Sequence, residues 1–346
     1  CYHTSPEDCE ALTGKQAGDI SVKFLEGTTN ATQDFTKIEG AGYLVGTKDT
    51  SMHYFIHPAF ENSEQQLGFW IAKYEPTANE GLSSSSTVCS SADNVSNKTP
   101  LIIPNALSWR CIDLANSFKT SLEIKNKNDV YGWLSYELDT HMMTNHEWGA
   151  VAYLSTSNYG ANTIIWNNSY IGYKTGCSGL TRHDYNYSVC IPYDSINGQK
   201  ASTTHNIYGV YDMAGGASER VMANFNNLIG QSGFSELEFL EIKSKYIHKY
   251  ISDGSDLGMD YFPNQYGDAI YETSNNARRT VNGTSVGNIQ AGWNYNRSYL
   301  PTKSAPWLAR GGYIRLSHKT GLFYFFRNIG FVDIDSSFRP ILTPIS

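Results

Sequence analysis

The sequence predicts an α+β fold of short strands, two or three helices and long loops, and three observations carry that prediction. Hydrophobic residues make up 40% of the 346 residues and charged ones only 17%, with a remainder rich in Ser, Thr, Asn and Gly. That is the balance of a folded but loop-rich chain. Helical periodicity is confined to a few stretches, whereas short apolar runs bounded by turn residues recur along the chain. No segment repeats, and no run is long and apolar enough to read as a membrane span.

Taken in order, residues 1–45 mix β-type runs such as Ile20 to Leu25 with turn residues and read as an N-terminal arm or small β subdomain. Residues 46–346 read as the main domain. Two β-rich runs, Met52 to His57 and Phe69 to Tyr74, open it. A long loop from Pro76 to Thr99 follows, with the Ser-rich centre Ser83 to Ser86. Leu114, Phe118 and Leu122 recur at helical spacing and predict a helix from Ile112 to about Lys125. A second helix is expected from Thr144, which can cap it with Glu147 in the first turn; Trp148, Val151, Ala152 and Leu154 form its apolar face and Gly160 stops it. Leu237, Leu240, Ile247 and Ile251 predict a third helix over Ser235 to Ile251. Tyr208 to Met213 and Trp307 to Leu342 read as short strands joined by turns.

Composition narrows the function. The formal net charge is −7, and Lys and Arg are scattered except for Lys243, Lys245, His248 and Lys249, which fit one solvated helix face. Nucleic acid is therefore not an expected partner. The chain opens on Cys1 without a basic start and an apolar segment, so any export signal or anchor is expected outside it. Six cysteines, with no Cys-x-x-Cys pair, argue for disulfides and an oxidising, extracellular or cell-surface or virion-surface setting. Loop closure favours Cys1 with Cys9, Cys89 with Cys111 and Cys177 with Cys190. His53 and His57 could share one strand face, but two ligands without a third make a poor metal site. The chain has no nucleophile elbow, phosphate loop or dinucleotide fingerprint.

One run is more specific. Asn206-Ile-Tyr-Gly-Val-Tyr-Asp-Met-Ala-Gly-Gly-Ala-Ser-Glu-Arg220 resembles the N-x-Y-G-x-Y-D-M-x-G-N-x-x-E signature of the formylglycine-generating enzyme family, whose fold is related to that of C-type lectins. Lys73-Tyr74-Glu75-Pro76-Thr77, Thr144 to Tyr153, Arg310-Gly311-Gly312 and Ser337-Phe338-Arg339-Pro340-Ile341 resemble further family anchors, in family order. The resemblance implies a C-type-lectin-like domain over roughly residues 68 to 342. It does not carry the chemistry with it. The enzyme's copper is held by a C-terminal cysteine pair, and no cysteine follows Cys190. The iron-dependent relatives use His-x3-His-x-Glu, whereas His141, His146 and Glu147 are spaced differently, and Gly216 replaces the signature Asn. Glu75-Pro76-Thr77 and Trp166-Asn167-Asn168 each depart by one residue from lectin calcium motifs. No catalytic residue, metal or cofactor is expected, and the chain is not expected to be an enzyme.

Between the anchors Arg310-Gly311-Gly312 and Phe338-Arg339-Pro340 lies a segment, 313–335, that follows no clean period. Of Lys, Met, Gln, Glu and Trp it holds only Lys319. That depletion resembles the variable proteins of diversity-generating retroelements, in which codons ending in a pyrimidine are randomised in the last strands of this fold. The resemblance implies a binding face formed by Tyr313, Arg315, His318, Phe323, Phe325, Arg327, Phe331, Asp333 and Asp335, at least half of them clustered on one surface. The expected function is an adhesin or receptor-binding tip, whose partner is a protein or glycan receptor on another cell or virion, within a larger surface assembly. A pilus or filament subunit carrying this domain, or a degenerate enzyme of the family, are the rival expectations.

Overall fold

A computed structural model describes Ala59 and residues 68–179, 187–251, 268, 279–281, 284–286 and 296–345. The expected strands at Ile20 to Leu25 and Met52 to His57, the His53 and His57 pair, and Cys1 with Cys9 lie outside the described residues.

Helices and strands mix, as the sequence predicts for an α+β chain. The helices are α1 (Leu114–Glu123), α2 (Asn128–Tyr131), α3 (Asn145–Ser155) and α4 (Glu236–Leu240). The first sheet pairs β1 (Trp70–Ile71), β12 (Pro340–Pro344) and β4 (Leu138–Met142), all antiparallel, with β12 in the middle. The second has at its centre β5 (Ser218–Phe225), buried along its whole length. On one side β5 meets β9 (Trp307–Gly311), which pairs with β10 (Gly321–Asn328). On the other it meets β11 (Ser336–Phe338) and β6 (His248–Tyr250), both parallel to it. Two small hairpin pairs complete the described strands: β2 (Thr77–Ala78) with β3 (Pro100–Leu101), and β7 (Arg279–Val281) with β8 (Thr284–Val286).

The alternation of β5 decides where the cores lie, because successive side chains of a strand point to opposite faces. Val221, Ala223 and Phe225 join Trp148, Met213, Leu308, Phe323, Phe325 and Ile341 in one apolar cluster. Met222 faces the other, with Trp109, Ile112, Phe118, Trp307 and Phe338. Three fully buried Trp rings each donate their indole N–H to a main-chain carbonyl: Trp109 to Asp93 at 2.9 Å, Trp148 to Leu322 at 2.7 Å and Trp307 to Ile229 at 3.0 Å. Each ring thus buries its area without leaving an orphan donor.

Helices α1 and α3 form for local reasons. Asp113 caps α1 through the Asn116 N–H, and Asn94 holds the cap in place from the preceding loop. Thr144 and Glu147 make a reciprocal capping box at the start of α3, as the sequence predicts. The expected helix over Ser235 to Ile251 is a correction. Only Glu236–Leu240 is helical, and after a 3-10 turn at Ser244–Tyr246 the chain becomes strand β6. Leu237 and Leu240 are 67% and 74% exposed, so the apolar positions that suggested a helix face have no core to meet. Beyond Leu240 the buried residues are Tyr246, Ile247, His248 and Tyr250, and pairing with β5 outweighs weak helical propensity there. The cluster from Lys243 to Lys249 is accordingly no solvated helix face, since His248 is buried and Lys245 bonds Asp139 at 2.6 Å. Tyr208 to Met213 is a second correction, for it forms turns in place of a strand, with Asp212 at φ 62°.

Two expected disulfides are formed, Cys89–Cys111 and Cys177–Cys190. No helix among the described residues is long and apolar enough to cross a membrane. The two disulfides fit an oxidising, extracellular setting.

Candidate functional site

Arg339 is the single residue between β11 and β12, where the chain passes from one sheet to the other. Its buried guanidinium donates from Nε to Glu219 Oε2 at 2.7 Å, and from its other nitrogens to Glu219 Oε1, to the Ala72 carbonyl at 2.5 Å and to the Tyr211 carbonyl at 2.9 Å. The residue just before Lys73, the Asn206 to Arg220 run and the closing Phe338-Arg339-Pro340 therefore meet at one side chain. Two more buried carboxyl groups stand nearby. Glu75 accepts from the Ala217 N–H at 2.9 Å, and Asp212 accepts from Asn168 Nδ2 at 2.9 Å and from the Gly176 N–H at 3.0 Å. Burial, with the charges of Asp212 and Glu219, holds Glu75 well above the usual carboxylate range, and burial raises Asp212 and Glu219 as well. A guanidinium occupies the centre of these three acids. Among the described residues no group of His, Cys, Asp or Glu is placed to hold a metal ion.

Two other buried arginines reach outward, toward the C-terminal segment. Arg110 lies over the Tyr173 ring at 3.8 Å and donates to the Ile334 carbonyl at 2.6 Å and the Ser85 carbonyl at 2.9 Å. Arg220 donates to the Phe331 carbonyl at 2.5 Å, the Ile112 carbonyl at 2.6 Å and Asp333 Oδ2 at 2.8 Å. The N–H groups of Gln231, Leu114, Cys111 and Ser218 bond the carbonyls of Ile329, Gly330, Asp333 and Asp335 at 2.7–3.0 Å. The turn from Ile329 to Asp335 is thus held by its main chain.

The nine residues expected to bind are distributed unevenly. Arg315, Asp333, Asp335 and Arg297 all lie within electrostatic reach of Tyr313. Tyr313 is half-buried and Arg315 exposed, while Asp333 is tied to Arg220 and Asp335 accepts from the Tyr173 hydroxyl. Arg327 is exposed at the far end of β10, and Phe331 is 42% exposed on the clamped turn. Phe323 and Phe325 are corrections: both are fully buried in the first core cluster and are not surface contacts. Their side of β10 faces α3 and β9, with the Arg310 guanidinium 5.8 Å from the Phe325 ring centre. The side chain of His318 lies outside the described residues.

Sequence reasoning missed Arg297, Tyr299, Tyr324 and Phe326. Residues 297–299 run beside β10, with the Tyr299 N–H bonded to the Phe325 carbonyl at 3.0 Å and the Phe325 N–H to the Arg297 carbonyl at 3.1 Å. The side chains of Tyr324 and Phe326 point to the face opposite Phe325, with Tyr324 near Arg297, Tyr313 and Asp335. The aromatic alternation of β10 was the one available signal, since Phe326 and Arg327 end a strand whose first five residues are buried.

Comparison with known protein families and with curated protein sequences returns no match to this chain.

Proposed function

We propose that this chain is an extracellular ligand-binding domain, an adhesin or receptor-binding tip of formylglycine-generating-enzyme-like, C-type-lectin-related fold. Its binding face is built on residues 313–335 together with Arg297, Tyr299 and Phe326. The observation that carries the reading is the division of labour in the turn from Ile329 to Asp335. Buried Arg110 and Arg220 and four main-chain N–H groups fix its backbone. Phe331 is 42% exposed on it, and Tyr313, Arg315 and Arg327 of the same segment are exposed or half-buried. A backbone held independently of its outward side chains suits a surface whose contacts change while the scaffold does not. Exposed aromatic and Arg side chains are also the residue types that dominate binding hot spots. The family resemblance supports the fold named here through the meeting of its anchors at Arg339.

The test is adhesion. Beads coated with the protein are scored for attachment across a panel of bacterial and epithelial cells, and then with the Arg315→Ala, Arg327→Ala, Phe331→Ala triple variant. Attachment to at least one cell type that the triple variant loses, at unchanged circular dichroism, is the expected result. Attachment that the triple variant retains in full would overturn the assignment of the face.

A further inference from the structure

The binding face contains a shelf of guanidinium and aromatic groups with unbalanced charge. Arg297 lies over two rings, its guanidinium carbon 4.6 Å from the centre of Phe326 and 5.0 Å from that of Tyr299. Arg327 lies 5.5 Å from the same Tyr299 ring centre. Tyr299 and Phe326 meet edge to face at 5.0 Å. Two cations therefore share one ring, and neither has a carboxylate within ion-pair distance among the described residues. The acids that share the neighbourhood of Tyr313 with Arg297 are already engaged, Asp333 by Arg220 and Asp335 by Tyr173. Among the described residues, Arg297, Arg315 and the buried Arg220 stand in this neighbourhood with Arg327 beyond them on the same ring, against the carboxylates of Asp333 and Asp335. This local positive excess sits on a chain whose net charge is −7.

We infer that this shelf is an anion-binding subsite that captures Asp or Glu side chains of an acidic protein segment. The inference deepens the ligand-binding reading and names its partner. A guanidinium stacked on an aromatic face keeps its N–H edge free in a fixed plane, which is the arrangement that bonds a carboxylate through two parallel hydrogen bonds. The ring edges are themselves electropositive and add to the attraction. A sugar ring would instead need an open aromatic face to stack on, and here Arg297 occupies Tyr299 and Phe326 while Arg327 occupies Tyr299 again. The pairing of residues 297–299 with β10 holds both sides of the shelf in register before any ligand arrives.

The probe is fluorescent octa-glutamate, followed by anisotropy at low salt, with octa-glutamine and polygalacturonate beside it. Octa-glutamate is expected to bind and octa-glutamine not, and binding should weaken steeply as salt shortens the screening length. Arg297→Gln with Arg327→Gln should lower octa-glutamate affinity at least tenfold at unchanged circular dichroism, while Lys243→Gln, at an exposed lysine before β6 on the other side of the sheet from β10, leaves it unchanged. Failure of octa-glutamate to bind, or equal binding by the double variant, would overturn the subsite. Polygalacturonate binding that alone depends on Arg297 and Arg327 would also overturn it, in favour of an acidic glycan. The two readings separate in the bead assay. Octa-glutamate capture that is lost in the double variant, with attachment to cells untouched by the triple variant, upholds the subsite and overturns the adhesive face.

Discussion

Replacing Arg339 by Met should unfold this protein, and replacing its partner Glu219 by Gln should not. Arg339 makes four buried hydrogen bonds, two to Glu219 and one each to the carbonyls of Ala72 and Tyr211. Arg339→Met leaves Glu219 buried without its cation, a change that costs about 3–5 kcal/mol at such sites. It also strands two buried carbonyls, at about 1–3 kcal/mol each. The sum is comparable to the whole stability of a typical domain, about 5–15 kcal/mol. Glu219→Gln is different, because the amide oxygen still accepts from Arg339. Asp212 remains close enough to balance the guanidinium and already favours its charged form. A cost of about 1–2 kcal/mol is expected there. Urea unfolding followed by Trp fluorescence measures both, since Trp109, Trp148 and Trp307 are buried and report loss of the core. An Arg339→Met protein within about 1 kcal/mol of the parent, or a Glu219→Gln protein that is the less stable of the two, would refute the reasoning.

Other consequences follow from the same structure. The imidazoles of His146 and His248 stack at 3.8 Å, and burial with the neighbouring His248 lowers the His146 pKa to about 3. Because the unfolded chain binds the proton first, stability should fall as pH drops below about 6.5, by about 2 kcal/mol at pH 5, and His146→Phe should flatten that slope in thermal melts. Phe325→Ala should cost about 3–5 kcal/mol because the ring is fully buried, whereas Arg327→Ala should change unfolding by under about 0.5 kcal/mol; differential scanning calorimetry separates them. Opening Cys89–Cys111 by paired Ser substitution should cost about 3.4 kcal/mol and opening Cys177–Cys190 about 2.9 kcal/mol, from closed loops of 22 and 13 residues, read by chemical denaturation of each variant. Phe331→Ala should leave the melting temperature unchanged, while Asp333→Ala should lower it, because Asp333 also accepts the Asp335 N–H at 2.8 Å and pairs with buried Arg220.

What could be read in the sequence was local. The capping box at Thr144 and Glu147 closes within one turn, and the two disulfides close short loops, so neighbours in the chain were enough to find them. Strand β6 was misread because its pattern satisfies helix and strand alike over a few residues, and only the distant edge of β5 decides between them. The same holds for the shelf. Arg297 and Tyr299 come to Phe326 through a parallel bridge that no local pattern announces.

Phe323 and Phe325 mark the deeper difficulty. A segment of mixed aromatic, basic and acidic residues looks exposed when its composition is averaged, but a strand has two faces and this one is buried for its first five residues. The glycine at its start lies against Asn296, where a Cβ would come within 2.5 Å of the side-chain amide nitrogen, so close packing begins with the strand itself. Along β10 and the turn after it, variation could therefore act where the strand leaves the core, at Phe326 and Arg327, and on the turn that Arg110 and Arg220 hold by its carbonyls. Those arginines bond main chain, which every residue type presents alike. The clamp consequently constrains the path of the turn and leaves the side chains at Phe331 and Val332 free to differ, which is the physical condition a changeable binding face requires.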